Sequence, residues 1–179
     1  MMTMFTISAV YSIKYLRSND LKHDLFALQF VNIGLLFGIL GLITGMEWAN
    51  FTWGTAWSND PKQLGSALCL LSYFAYIALR GALPDFDKRA KIGAVYNIFA
   101  YALMFPFIWV IPKLTDSLHP GSGGNSGFNN YDLDNHMRLV FYPAIIGWIL
   151  LGLWITSLSI RINLIEKQDI FNDEQNHKK

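Results

Sequence analysis

Two short stretches hold the residues whose types and spacing could do chemistry. In "NFTWGTAWSND", Asn50 to Asp60, Trp53 and Trp57 stand four residues apart, with Trp48 just upstream, Gly54 and Thr55 between them, and Asp60 closing the segment. Each indole offers a large apolar face and one N–H donor, and a glycine among them lets backbone approach a flat ligand closely. The set suits a planar, largely apolar molecule. The plainer reading of the same tryptophans is an aromatic belt at a membrane interface. In "LTDSLHPGSGG", His119 is followed by Pro120 and Gly121, expected to fix a turn. A neutral imidazole there can ligate a metal, although an ordinary loop histidine would look the same.

These stretches are positioned by an apolar chain. Of 179 residues, 53% are hydrophobic and only 15% charged, against about 25% charged in ordinary soluble domains. The charges cluster and leave uncharged tracts at Leu25 to Met46, Ile92 to Pro112 and Leu139 to Ile160, each long enough to cross a bilayer as a helix. Gln63 to Leu79 is slightly short, and snorkelling of Arg80 is expected to extend it. Met1 to Ile13 spans only if Lys14 and Arg17 snorkel. The expectation is an all-α polytopic membrane helix bundle, a single integral membrane domain over 1–179, with five spans at about 1–17, 25–46, 63–83, 91–112 and 138–162 and a tail at 163–179. A soluble helical protein with that many buried uncharged tracts is disfavoured. No cleavable signal pattern is seen at the start. Net charge is +1, which suggests no nucleic-acid partner; membrane lipid is the expected surrounding.

Positive charge in short loops sets orientation. Lys14, Arg17 and Lys22 lie in the first loop, Arg80, Lys88, Arg89 and Lys91 in the third, and Arg161, Lys167, Lys178 and Lys179 after the last span. These belong on the cytoplasmic side. The second loop, Glu47 to Lys62, and the fourth, Lys113 to Met137, carry one lysine each and belong outside. The tryptophan loop and His119 then share one face. His136 is the competing ligand near the outer end of the last span, whereas His23 lies on the cytoplasmic side and His177 in the tail. "HPGSGGNSGFNN" reads as flexible backbone. The single cysteine, Cys69, lies inside a span, so no disulfide framework or CxxCH haem attachment can be built on it. A flat aromatic platform and a histidine on one outer face are what non-covalent haem handling needs: the rings stack and exclude water, and iron takes axial nitrogen.

"WGTAWSND" resembles the tryptophan-rich WGxxWxWD signature of the haem-handling membrane proteins of cytochrome c maturation. Trp53, Gly54, Thr55, Trp57 and Asp60 match it; Ala56 stands where a tryptophan is common, and Asn59 replaces the third tryptophan of the pattern. "LTDSLHPGS" looks like the family's LHxGS loop, which puts His119 at an axial position, and "MRLVFYPAIIGW" resembles the start of its last span. The chain is most similar to the haem exporter protein C type, from about Tyr11 to Lys167. That resemblance implies six spans and a first histidine in an outer "HVP" segment. The opening "MMTMFTISAVYSIKYL" resembles the middle of the second span, so an N-terminally truncated sequence lacking one axial ligand is expected.

The resemblance further implies a b-type haem held non-covalently and transiently on the periplasmic face of the bacterial inner membrane. It implies delivery to a periplasmic haem chaperone, and partner subunits of an ABC transporter. The platform would be Trp48, Trp53, Gly54, Thr55, Trp57 and Asp60, the iron ligand His119, and His136 a possible substitute. No catalytic residue and no enzymatic step are expected. Asp60 before Pro61 is also a good helix start, so a cap and a ligand contact both stay open. Other classes weighed are a small-solute permease, with Asn32, Asn97 and Pro106 as its only modest candidates, and a non-haem structural subunit.

Overall fold

A computed structural model describes residues 1–115, 117–119 and 134–176, with side chains up to 166. Its regular structure is helical: α1 (Met2–Ser18), α2 (Leu21–Trp53), α3 (Pro61–Ala82), α4 (Phe86–Phe105), a π-helical turn (Pro106–Val110) continuing into α5 (Ile111–Leu114), and α6 (Asn135–Asn176). Four stretches are long and apolar enough to cross a membrane: Leu21–Trp53, Pro61–Ala82, Phe86–Leu114 and Asn135–Glu166. The chain is a multi-pass membrane helix bundle. The 17 residues of α1 fall short of the roughly 20 needed for a full crossing.

Local sequence sets the helix starts. Asp20, Asp60 and Asp85 are the N-caps of α2, α3 and α4, each accepting a backbone N–H two residues on at 2.9 Å, which satisfies a donor the helix itself leaves orphaned. Pro61 follows Asp60 at the first helical position, where its missing N–H costs nothing. Asn19, at φ 53, ends α1, its N–H donating to Tyr15 O. Pro106 cannot donate to the helical ladder, and there the third apolar rod widens into its π-helical turn.

Two expectations are corrected here. The segment after Met46 is not loop: α2 continues to Trp53, and the non-helical connection is only Gly54–Asp60. Nothing in "EWANFTW" breaks a helix, and the first residue able to end one cheaply is Gly54, at φ 76 with its N–H donating to Asn50 O. At 33 residues, α2 is about 50 Å long at 1.5 Å per residue, roughly 20 Å more than the hydrocarbon core. Trp48 and Trp53 lie in the last two turns of this long helix. Arg80 does not snorkel: it is 8% exposed and pairs bidentately with Asp24 of α2 at 2.6 and 2.7 Å. A carboxylate on the adjoining helix satisfies the guanidinium in place of the membrane surface.

The core lies among α1, α2, α3 and α4, with Phe5 stacked on Tyr73 at 3.6 Å and Val31, Leu35, Leu70, Tyr76 and Met104 around them. A polar tie crosses it. Asn97 Nδ2 donates to Ser8 Oγ and Ser12 Oγ, each at 2.7 Å, and Ser8 Oγ donates to Ala27 O. Gly65 of α3 meets the backbone carbonyl of Phe107, an approach no Cβ would permit. At the edge, α6 packs on α2, where Ser159 Oγ donates to Gln29 Oε1 at 2.6 Å. Pro120, Gly121, the rest of the glycine-rich stretch, and His177 lie outside the described residues.

Candidate functional site

The site assembles where the end of α2 meets the start of α3 and the Ser117–His119 segment. Its centre is Asp60, 3% exposed. Oδ1 accepts the Lys62 N–H and lies 2.9 Å from His119 Nδ1; Oδ2 accepts from Ser117 Oγ at 2.8 Å and from the Leu118 N–H at 2.7 Å. A carboxyl surrounded by donors on both oxygens serves as an acceptor-only anion. Burial pushes its pKa up, but the hydrogen bonds from Ser117, Leu118 and Lys62 and the neighbouring His119 outweigh this and hold it below the ordinary carboxylate value. Nδ1 of His119 therefore carries the proton, and Nε2 keeps a bare lone pair. Burial also pulls the His119 pKa below its ordinary value, more than the Asp60 charge and hydrogen bond raise it, so the imidazole is neutral near pH 7.

The two tryptophans on α2 flank this imidazole. Trp53 meets the His119 ring edge-on, with centroids 4.9 Å apart, and Trp48 lies at 6.1 Å; the two indoles form a T-shaped pair at 5.2 Å. Trp48 remains 45% exposed, which leaves aromatic surface for a ligand. His119 also lines a cavity of about 230 Å³, bordered by Gly41, Gly45, Met46, Lys62 and Gln63. A second cavity of about 380 Å³ shares Phe37 and Gly41 with it and reaches Trp148 of α6. A Cβ added at Gly41 or Gly45 would meet nothing within 4 Å, so this side of α2 is open.

The remaining residues singled out in the sequence hold the short connection in shape. Gly54 is the left-handed cap of α2, and Thr55 is exposed. Trp57 stands outside the ring cluster, its indole N–H donating to Asn59 Oδ1 at 2.8 Å. Asn59 takes φ 54, a conformation asparagine tolerates better than most residues, and indole more poorly. Gln63 braces the turn by accepting from the N–H and hydroxyl of Ser58 and donating to Ala56 O. His136 is exposed in the first turn of α6, and no contact among the described residues joins it to the Asp60–His119 pair. The permease candidates do not gather into a polar path: Asn32 is exposed, Asn97 ties helices, and Pro106 opens the π-helical turn.

Sequence reasoning found Asp60 and His119 separately but not their bond, which joins residues 59 apart. Ser117 and Gln63 were missed altogether, since a serine two residues before a histidine carries no local signal. Asp60 proves to be a helix cap and a clamp on the histidine at once.

The donor set discriminates among metals. Among the described residues, no three His, Cys, Asp or Glu side chains converge as an ion cage, which a bare zinc ion would require. A single imidazole beside indole faces and open apolar cavities fits haem, whose porphyrin already fills the equatorial positions of iron. The family model described as heme exporter protein C (CcmC) matches residues 1–174. Relatives named cytochrome c biogenesis protein CcsA include one from Pelargonium hortorum, 33% identical over 104 residues, covering 58% of this chain and 31% of the relative. Two from Synechococcus are similar: strain CC9902 at 32% over 88 residues, covering 49% and 29%, and strain WH7803 at 39% over 94 residues, covering 50% and 29%. The aligned stretch thus spans about three-tenths of those longer proteins. The chain belongs to the CcmC heme exporter protein C family, whose members handle haem in cytochrome c biogenesis.

Proposed function

We propose that this chain presents a non-covalent, b-type haem at the periplasmic face of the bacterial inner membrane and passes it to a periplasmic haem chaperone during cytochrome c maturation. One observation carries the reading: Asp60 holds His119 at Nδ1, which turns its other ring nitrogen to the ligand role, beside Trp48 and Trp53, at one end of the bundle. When bound, haem would supply the iron; His119 would hold it through its ring nitrogen, Trp48 and Trp53 would cover ring surface and exclude water, and the Gly41–Gly45 side of α2 would leave room for an apolar edge. The sole cysteine, Cys69, is buried in α3, which supports a guest held without a thioether bond.

Handover requires binding tight enough to capture haem and weak enough to release it. One imidazole on a partly open aromatic platform suits this better than an enclosed pocket. In this reading the side chains have a carrier's role, and no catalytic step is asked of them. The sparse positive charge of the Glu47–Lys62 and Lys113–Met137 segments supports the outer placement of the site and a cytoplasmic C-terminus. Subunits of an ABC transporter are the expected membrane partners.

The test is an absorption titration of the purified protein with haem. A Soret band should appear on binding and weaken strongly in His119→Ala, with smaller losses in Trp48→Ala and Trp53→Ala. A protein that gives no haem-dependent Soret shift, or whose spectrum ignores His119→Ala, overturns this function.

A further inference from the structure

The bond between Asp60 and His119 bears on more than geometry. As the N-cap of α3, Asp60 needs only one side-chain oxygen for the Lys62 N–H, and asparagine would serve nearly as well. Yet this carboxylate is buried and receives three further donors from the histidine segment: Ser117 Oγ, the Leu118 N–H and His119 Nδ1. Ser117 Oγ in turn accepts the His119 N–H at 3.2 Å. The segment is thus held at the hydroxyl, backbone and ring, and the ring contact alone leads to the atom that would touch iron. A carboxylate hydrogen-bonded to Nδ1–H increases the basicity of the opposite nitrogen, and such partners tune a bound metal as well as orienting its ligand.

We propose that Asp60 is a positioning residue whose charge, acting through His119, sets the donor strength of the axial nitrogen and biases the site toward ferric over ferrous haem. This rests on the haem reading given above. Ferric iron carries the extra positive charge, so it gains more from an electron-rich imidazole; ferrous iron gains less. Selectivity between oxidation states then resides in a residue that never touches the cofactor, whereas the indoles bind both states alike.

The experiment uses the full chain in detergent micelles, titrated separately with ferric protoporphyrin IX and with the dithionite-reduced form, and read at the Soret band. Asp60→Asn retains the cap and the volume and removes the charge, while its amide NH2 replaces the oxygen that accepted from Ser117 Oγ and the Leu118 N–H. Ser117→Ala loosens the segment and leaves the charge in place. For Asp60→Asn, ferric affinity should fall by about 10-fold or more, with ferrous affinity much less affected. A tenfold change in the ratio corresponds to a midpoint potential higher by about 59 mV for one electron. Ser117→Ala should weaken both states together and leave the potential unchanged. Equal loss of both states in Asp60→Asn would reduce Asp60 to a clamp and overturn the proposal while sparing the haem reading. A wild-type protein without a Soret response in either state overturns both.

Discussion

The pair that most constrains the bundle lies at the opposite end of the α2–α3 hairpin from the site. Asp24, one turn into α2, and Arg80, in the last turn of α3, bond through both nitrogens and both oxygens at 2.6 and 2.7 Å. Their side chains are 12% and 9% exposed, and Arg80 also rests over the Tyr76 ring, 5.6 Å from its centroid. Removing one partner strands the other charge in a medium that cannot solvate it, at a cost of about 3–5 kcal/mol. Removing both leaves no unpaired buried charge and is expected to cost far less. Arg80→Met and Asp24→Leu should therefore each destabilise by about 3–5 kcal/mol, and the double variant should recover most of that loss. The assay is equilibrium unfolding by SDS from mixed micelles, followed by far-UV circular dichroism. The double-mutant cycle should show a coupling of at least about 2 kcal/mol. Additive single effects, or singles indistinguishable from wild type, would refute the claim that this pair is desolvated and joins the two helices. The consequence reaches the candidate site, since α2 and α3 carry Trp48, Trp53 and Asp60 at their far ends.

Two further perturbations test other parts of the structure. In Gly65→Ala the new methyl collides with the Phe107 carbonyl of the π-helical turn; because that neighbour is backbone, the rod must move, and a loss of about 1–3 kcal/mol is expected in the same unfolding assay, a neutral result refuting the close approach. In the haem-free protein, the histidine segment should loosen in acid. Burial, partly offset by Asp60, lowers the His119 pKa, so the folded form holds fewer protons than the unfolded form. The stabilisation is complete above the unfolded value of about 6.5 and is lost as pH falls through the folded value. The Asp60 pKa is also lowered, against burial, by its hydrogen bonds from Ser117, Leu118 and Lys62, so its contribution is present above about pH 3.9 and is lost below that. An NMR titration of the His119 ring should give a midpoint below 6.5; a higher midpoint would mean that the Asp60 charge outweighs burial.

The sequence determined what can be read locally. Uncharged runs such as Leu25 to Met46 identify membrane helices because backbone polar groups in hydrocarbon must pair within the segment. Asp60–Pro61 announces a helix start through cap chemistry alone. The types of the site residues were likewise legible, since indoles around a glycine and a histidine in a segment between two spans each imply a chemistry independent of the fold.

Tertiary structure decided everything that depends on distance. Where α2 stops was a competition between helix propagation through Glu47–Trp53 and the loop implied by the charge pattern, and propagation wins until Gly54. Whether Arg80 reaches water or a carboxylate turns on what α2 places beside it, and that is Asp24. The bond between Asp60 and His119 closes a gap of 59 residues, and Trp48 and Trp53, not Trp57, are the indoles that meet the imidazole. Residue type is written along the chain, whereas which groups share a low-dielectric contact follows only from how the helices pack, because the energy of a hydrogen bond or ion pair depends on separation and solvent exclusion and not on order in the sequence.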